Sequence, residues 1–160
     1  MKLIVFLLAL LAPIQAAALS CAPWYVENAF AHARDSEAAY VVVEGTLTFP
    51  VDELPKTDWE NQAATPPQTQ IKARLRGYSL SQDGFAEPFN APVTLIVKCA
   101  GPWCSEPKPG DALAFLKRVD TGYELVSRPC GGFVFAQPTQ EILSKVETCF
   151  SGGDCAIPQP

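Results

Sequence analysis

The sequence predicts a mainly β domain: a small closed or nearly closed barrel of about five strands, with a short helix before it and a second helix after it. Three observations predict this. Segments rich in β-branched and aromatic residues, bounded by Gly, Pro and Asp, recur between residues 40 and 135. Helical spacing of apolar residues is found at the two ends, over 25–34 and 138–150. So much apolar strand needs its edges hidden, and closure of the sheet hides them.

Taken in order, Tyr25 to Arg34 reads as the first helix, because Val26, Ala29, Phe30 and Ala33 fall on one face. Tyr40 to Phe49 is a long strand interrupted by Gly45, as a glycine does where a barrel strand bends sharply. Residues 50–69 form a polar loop containing Pro50, Pro55, Pro66 and Pro67 with Asp52, Glu53, Asp58 and Glu60. Ile71, Ala73, Leu75 and Gly77 then alternate with Lys72, Arg74, Arg76 and Tyr78, which makes a half-buried strand with one wet, basic face. Val93–Cys99 is the next strand and Ala112–Val119 a nearly continuous apolar one. Asp120-Thr121-Gly122 turns the chain into a hairpin partner, Tyr123–Ser127, followed by a short apolar extension at Gly132–Phe135. Thr139 is the expected N-cap of a helix running through Phe150, with Ile142, Val146, Cys149 and Phe150 along one face. No internal repeat or second domain is visible.

The first residues read as an export signal. Lys2 gives a charged start, Leu3 to Leu11 an apolar run too short to span a bilayer, and Pro13 a break. Ala16-Ala17-Ala18 offers small residues for cleavage after Ala18, and Ala18-Leu19-Ser20 offers a second site after Ser20. The expected organisation is a cleaved signal at 1–18, one domain at 19–150 and a tail at 151–160. A lipid anchor on Cys21 is disfavoured, because Ala18 stands where a lipobox wants an aliphatic residue. The chain has 160 residues and a formal charge of −5, and losing Lys2 makes this −6. That balance argues against a nucleic-acid partner, which requires net local positive charge. No second apolar run is long enough to cross a membrane. In an exported chain, six cysteines read as three disulfides rather than a zinc site, and fifteen connectivities are open. A periplasmic or secreted location follows. The single-lysine start, the alanine-rich cleavage site and the lack of an N-x-S/T sequon fit bacterial export.

No reaction centre stands out. Cys99 and Cys104 have four residues between them, with Trp103 before the second, so thioredoxin-type geometry is not supported and the pair reads as a loop staple. His32, the single histidine, lies on the polar side of the first helix and reads as a surface residue. No nucleophile elbow, acid pair or phosphate-cradling loop is present, so no catalytic residue, metal ligand or cofactor is expected. Lys72, Arg74 and Arg76 read first as the solvated face of a strand that also guards an edge, and second as a contact for an anionic ligand or polysaccharide. Trp59 in loop 50–69 and Trp24 near the N-terminus are packed residues or interface anchors.

The order of features resembles a known family. Cys21-Ala-Pro is followed by Ala29-Phe30 in a short helix, then Tyr40-Val-Val-Val-Glu-Gly45-Thr-Leu. Later come Lys98-Cys99, Gly110-Asp-Ala-Leu-Ala-Phe-Leu116 and a cysteine, Cys130, after the hairpin. Over residues 19–150 this is similar to the netrin-like module, the OB-fold barrel that also forms the inhibitory domain of tissue inhibitors of metalloproteinases. The resemblance implies a five-stranded OB-type barrel and a Cys21–Cys130 bridge. It places Leu19 where the family has its first cysteine, the usual partner of the position matched by Cys99. With that partner absent, Cys99 is expected to close on Cys104, and Cys149 on Cys155. In the inhibitors the N-terminal amine and carbonyl chelate a target's catalytic zinc, a role that would fall to Leu19.

The expected function is therefore an exported, non-enzymatic binding module that engages an unknown protein or surface ligand through its N-terminus and loop 50–69, with protease inhibition as a sub-case. The candidate contact residues are Leu19, Cys21, Trp24, Trp59, Lys72, Arg74 and Arg76. The alternatives are a structural or assembly protein of the bacterial envelope, and a thiol-redox enzyme.

Overall fold

The computed structural model describes residues 20–159. The expected signal segment and Leu19 lie outside the described residues. From Ser20 on, the chain forms α1 (Val26–Arg34), β1 (Tyr40–Thr48), two 3-10 turns (Val51–Glu53 and Gln62–Ala64), β2 (Gln68–Ser81) and β3 (Gly84–Ala100). It continues through β4 (Trp103–Cys104), β5 (Gly110–Val119), β6 (Gly122–Arg128), β7 (Gly131–Gly132) and β8 (Val134–Ala136) to α2 (Gln140–Phe150). The domain is mainly β, with a helix on either side of the strands in sequence.

The strand pairings run round a ring: β1 with β2, β2 with β3, β3 in parallel with β6, β6 with β5, and β5 with β1. The ring is uneven. β2 and β3 pair from Gln68–Lys98 to Ser81–Gly84. The β3–β6 contact spans only Thr94–Glu124 to Val97–Ser127, and β5–β6 only Lys117–Glu124 to Val119–Gly122. β4, β7 and β8 add to β3, β6 and β5. Inside the ring sit Val43, Leu47, Ile71, Leu75, Leu95, Val97, Leu116 and Leu125, all fully buried, while Phe115, opposite Val42, is buried on the other face of β5. β2 follows the alternation read from its sequence, with Ile71, Ala73 and Leu75 inward and Lys72, Arg74 and Arg76 outward. β5 does not alternate, since Ala112 to Leu116 are all buried. Its inner face belongs to the core, and α1 packs on it from outside.

Gly45 lies directly opposite Gly77 across β1 and β2. A Cβ on Gly45 would meet the Arg76 carbonyl, and one on Gly77 the Glu44 carbonyl, so two glycines let the strands cross closely where β1 bends.

Three expectations need correction. The strands are longer and more numerous than five, chiefly because β2 and β3 form one long hairpin through residues 79–92. Gln82-Asp83 makes its turn, with Gly84 after it at φ 80° and the Asp83 N–H donating to Ser81 Oγ at 3.2 Å. Pro88 and Pro92 disguise the β3 half in the sequence. The Cys99 N–H points to the β2 side, towards the Pro67 carbonyl at 3.0 Å. Strand alternation therefore aims the nitrogens of residues 92 and 88 away from β2, where β6 has not yet begun to pair. The second correction concerns α2, whose buried stripe is Leu143, Val146 and Cys149. Phe150 is 39% exposed and Ile142 half-buried, because the inward face is centred on Leu143. Thr139 does cap this helix, its Oγ1 accepting from the Ile142 N–H at 3.4 Å. Finally, residues 50–67 are not featureless. They carry the two 3-10 turns, and residues 68 and 69 already belong to β2.

The disulfides are Cys21–Cys130, Cys99–Cys104 and Cys149–Cys155, the three pairs expected from the resemblance. Among the described residues no cysteine is free.

Candidate functional site

Next to the Cys21–Cys130 bridge the surface opens into a cleft of about 790 Å³. Three stretches of chain wall it: Trp24 from the N-terminal segment, residues 105–111 after the Cys99–Cys104 hairpin, and residues from the end of β6 to Gln137. The bridge brings the first of these to the third, across a sequence separation of 109.

Trp24 is held on several sides. Its indole N–H donates to the Gly132 carbonyl at 2.9 Å, and its ring lies 5.7 Å from that of His32. Gly131 has φ +111°, and a Cβ there would strike the indole. A glycine is thus required twice at this position, by the backbone and by the tryptophan. His32 is exposed and packs its ring between Trp24 and Phe133.

The cleft also reaches two buried hydroxyls. Ser105 is 8% exposed and Ser127 4%, and their Oγ atoms hydrogen-bond to each other. β6 supplies Ser127. The Ser105 N–H donates to the Lys98 carbonyl at 3.0 Å, which fixes Ser105 to the base of the stapled hairpin. Four charged side chains line the same space: Glu106, Lys108, Asp111 and Arg128. None is in an ion pair, since the one ion pair among the described residues is Arg34–Asp35 on α1 and its C-cap. The Asp111 carboxylate accepts from Thr46 Oγ1 at 3.5 Å. The Arg128 guanidinium lies 5.9 Å from the Phe133 ring centre, a cation–π contact, and Arg128 also lines a neighbouring hollow with His32 and Tyr40. At the rim, Gln137 has φ 49°, in the left-handed region, and its N–H donates to the Asp111 carbonyl at 2.8 Å. A non-glycine residue there costs about 1–3 kcal/mol, and such strain concentrates at functional sites.

The stapled hairpin links the cleft to the proline-rich loop. Thr57 Oγ1 donates to the Pro102 carbonyl between the two cysteines. Asp58 Oδ1 accepts from the N–H groups of Glu60 and Asn61 at 2.9 and 3.0 Å, and this turn leaves Trp59 62% exposed. Trp103, beside Pro102, is 38% exposed.

Of the residues expected from the sequence, Trp24 lines the cleft, and Cys21 anchors it while remaining exposed. Trp59 stands outside it on the tethered loop. Lys72, Arg74 and Arg76 are exposed on the outer face of β2 and do not line the cleft. Arg74 Nη1 is bound to Asn90 Oδ1 on β3 at 3.0 Å. Sequence reasoning missed Ser105, Lys108, Ser127 and Arg128. Arg128 was within reach, because it lies two residues before the expected partner of Cys21. Pro107 and Pro109 were a second signal, marking a stiff segment after Cys104. The Ser105–Ser127 pair joins residues 22 apart and leaves no local pattern.

Comparisons of the chain with protein-family models, with curated proteins and with solved structures return no match.

Proposed function

We infer that this protein is an exported, non-enzymatic binding module on an OB-type barrel of netrin-like character, and that it grips a protein partner in the cleft beside its N-terminus. One observation carries this reading. The N-terminal segment and the segment after the stapled hairpin meet at one cleft, the first through Cys21–Cys130 and the second through Ser105–Ser127, and Thr57–Pro102 ties the proline-rich loop to that hairpin. Support for the barrel comes from the ring of five strands with its parallel β3–β6 closure. Support for export comes from three disulfides in a chain with no described helix long and apolar enough to cross a membrane. Trp59 and Trp103 supply exposed aromatic anchors on the tethered loop and the stapled hairpin, a residue type on which binding energy concentrates. Protease inhibition is the sub-case in which the N-terminal segment itself enters the partner's site.

The test is co-purification from the native envelope or medium with three baits: wild type, Arg128→Gln, and Trp59→Ala. One protein retained by wild type and reduced by both substitutions supports the reading. Equal retention by all three baits, or no specific retention, defeats it.

A further inference from the structure

α2 ends in a turn that sends the chain back along the helix. Gly152, at φ 81°, donates its N–H to the Cys149 carbonyl at 3.2 Å, and the Gly153 N–H donates to the Thr148 carbonyl at 2.9 Å, the paired bonds of a Schellman motif. Cys155 is then bonded to Cys149, so the tail leaves from a fixed point on α2. Extended chain covers about 9 Å from Cys155 to Pro158, and the helix about 6–10 Å from Cys149 back to Lys145 and Ile142. Pro158 therefore arrives beside those two residues, and with them it lines a hollow of about 390 Å³.

The floor of that hollow is aromatic, built from Trp24, Tyr25 and Phe135. Glu27, Glu141 and Lys145 give it charges of both signs, and none of them is in an ion pair among the described residues. A hollow so balanced does not select an ion, which leaves its apolar rings as the feature a ligand can use. A proline ring suits them, because it is rigid and apolar and brings no N–H to desolvate. The tail is also stiff by sequence. Ile157 and Gln159 each precede a proline, which biases both to extended backbone, so the segment loses little freedom on docking. Ile157 is 41% exposed, so the tail lies at the surface, open to exchange.

We propose that this hollow is a docking groove for an extended segment bearing a proline, and that the tail after Cys155 is its resident occupant. The Cys149–Cys155 bridge aims the tail, and a partner's segment of the same chemistry competes with it. The groove is separate from the cleft beside Cys21–Cys130, although Trp24 and Phe135 line both.

The test compares wild type with the full-chain variant Ile157→Gly/Pro158→Gly, with all three bridges intact in both. Each is titrated with acetyl-Ala-Ile-Pro-Gln-Pro-amide and with acetyl-Ala-Ile-Gly-Gln-Gly-amide while heat and the indole N–H resonance of Trp24 are followed. A tethered tail this short has an effective concentration of about 1 mM, so a peptide with a Kd of about 0.1 mM for the open groove should bind wild type about tenfold more weakly. The expected result is that difference for the proline peptide, with a shift of the Trp24 resonance, and much weaker binding of the glycine peptide. Tyr25→Ala in the variant background should weaken the proline peptide at least about threefold, the worth of one aromatic contact. Equal affinity for the two proteins overturns the tail's occupancy. Binding to neither overturns the groove, and equal binding of the two peptides overturns the choice of proline. None of these results bears on the cleft, whose co-purification test uses Arg128 and Trp59.

Discussion

Replacing Cys21 and Cys130 by alanine should destabilise this domain more than losing either of the other two bridges. The bridges differ in the loop each closes. Cys21–Cys130 has a sequence separation of 109, Cys99–Cys104 of 5 and Cys149–Cys155 of 6. In the chain-entropy treatment the first restricts the unfolded chain by about 4.8 kcal/mol at 25 °C and each short one by about 2 kcal/mol. A domain of this size has a net stability of roughly 5–15 kcal/mol, so the long bridge carries a third or more of it. At about 3 °C per kcal/mol for a chain of this length, Tm should fall by about 15 °C. The two effects should also differ in kind. Freeing a 109-residue constraint lets the unfolded state expand, so the urea m-value rises. Opening a six-residue loop hardly changes it. Urea titrations of the two double variants, Cys21→Ala/Cys130→Ala and Cys149→Ala/Cys155→Ala, decide the matter. Equal losses of stability with unchanged m would refute the argument that the long bridge acts through the unfolded chain.

Gly131→Ala should cost about 1–3 kcal/mol and red-shift the tryptophan emission, because φ +111° and the indole of Trp24 both oppose a Cβ there. Phe115→Ala should cost about 3–5 kcal/mol by chemical denaturation, since the ring is fully buried between Phe133 and Phe135. Burial raises the ionisation of Tyr40 above the ordinary tyrosine value, with Arg128 opposing and Glu124 adding to the shift. Because the folded value is the higher one, this contribution to stability is complete below the unfolded tyrosine pKa and is lost as pH rises through the folded one. Tyr40→Phe should therefore flatten the alkaline limb of a stability-against-pH curve above about pH 10. Thr57→Val should leave the unfolding free energy within about 1.5 kcal/mol of wild type, yet speed amide hydrogen exchange across residues 51–64 by untying the loop from Pro102.

Much of the architecture was legible because it follows short-range rules. β2 announced itself by alternation, β5 by an unbroken apolar run, α2 by Thr139 and its apolar spacing. The bridges were legible for a different reason. Cysteine order resembles one family's plan, the thiol missing at Leu19 departs from it and leaves Cys99 to Cys104, and the spacing alone left every pairing open. What escaped was set by tertiary context. Pro88 and Pro92 argue against a strand in any local reading, and only the unpaired side of β3 tolerates them. The cleft escaped more fully, since its walls come from three distant segments and its buried hydroxyls meet through the fold. The basic residues chosen from the sequence, Lys72, Arg74 and Arg76, were conspicuous because they cluster along one strand. Arg128 and Lys108 each stand alone in sequence and converge only in space.

Stability and recognition share one part of this molecule. Cys21–Cys130 limits the unfolded chain, and the same bridge sets Trp24 against Gly131 and Gly132 at the cleft wall. Reducing that bridge alone should therefore loosen the wall before the barrel opens, because Trp24 is only half-buried while the barrel interior around Leu116 and Leu125 is closed to solvent. The order is measurable. During mild reduction the tryptophan signal should be lost ahead of the far-ultraviolet circular dichroism. Simultaneous loss of both would mean that the N-terminal segment is an integral part of the folding unit rather than a wall fastened to it.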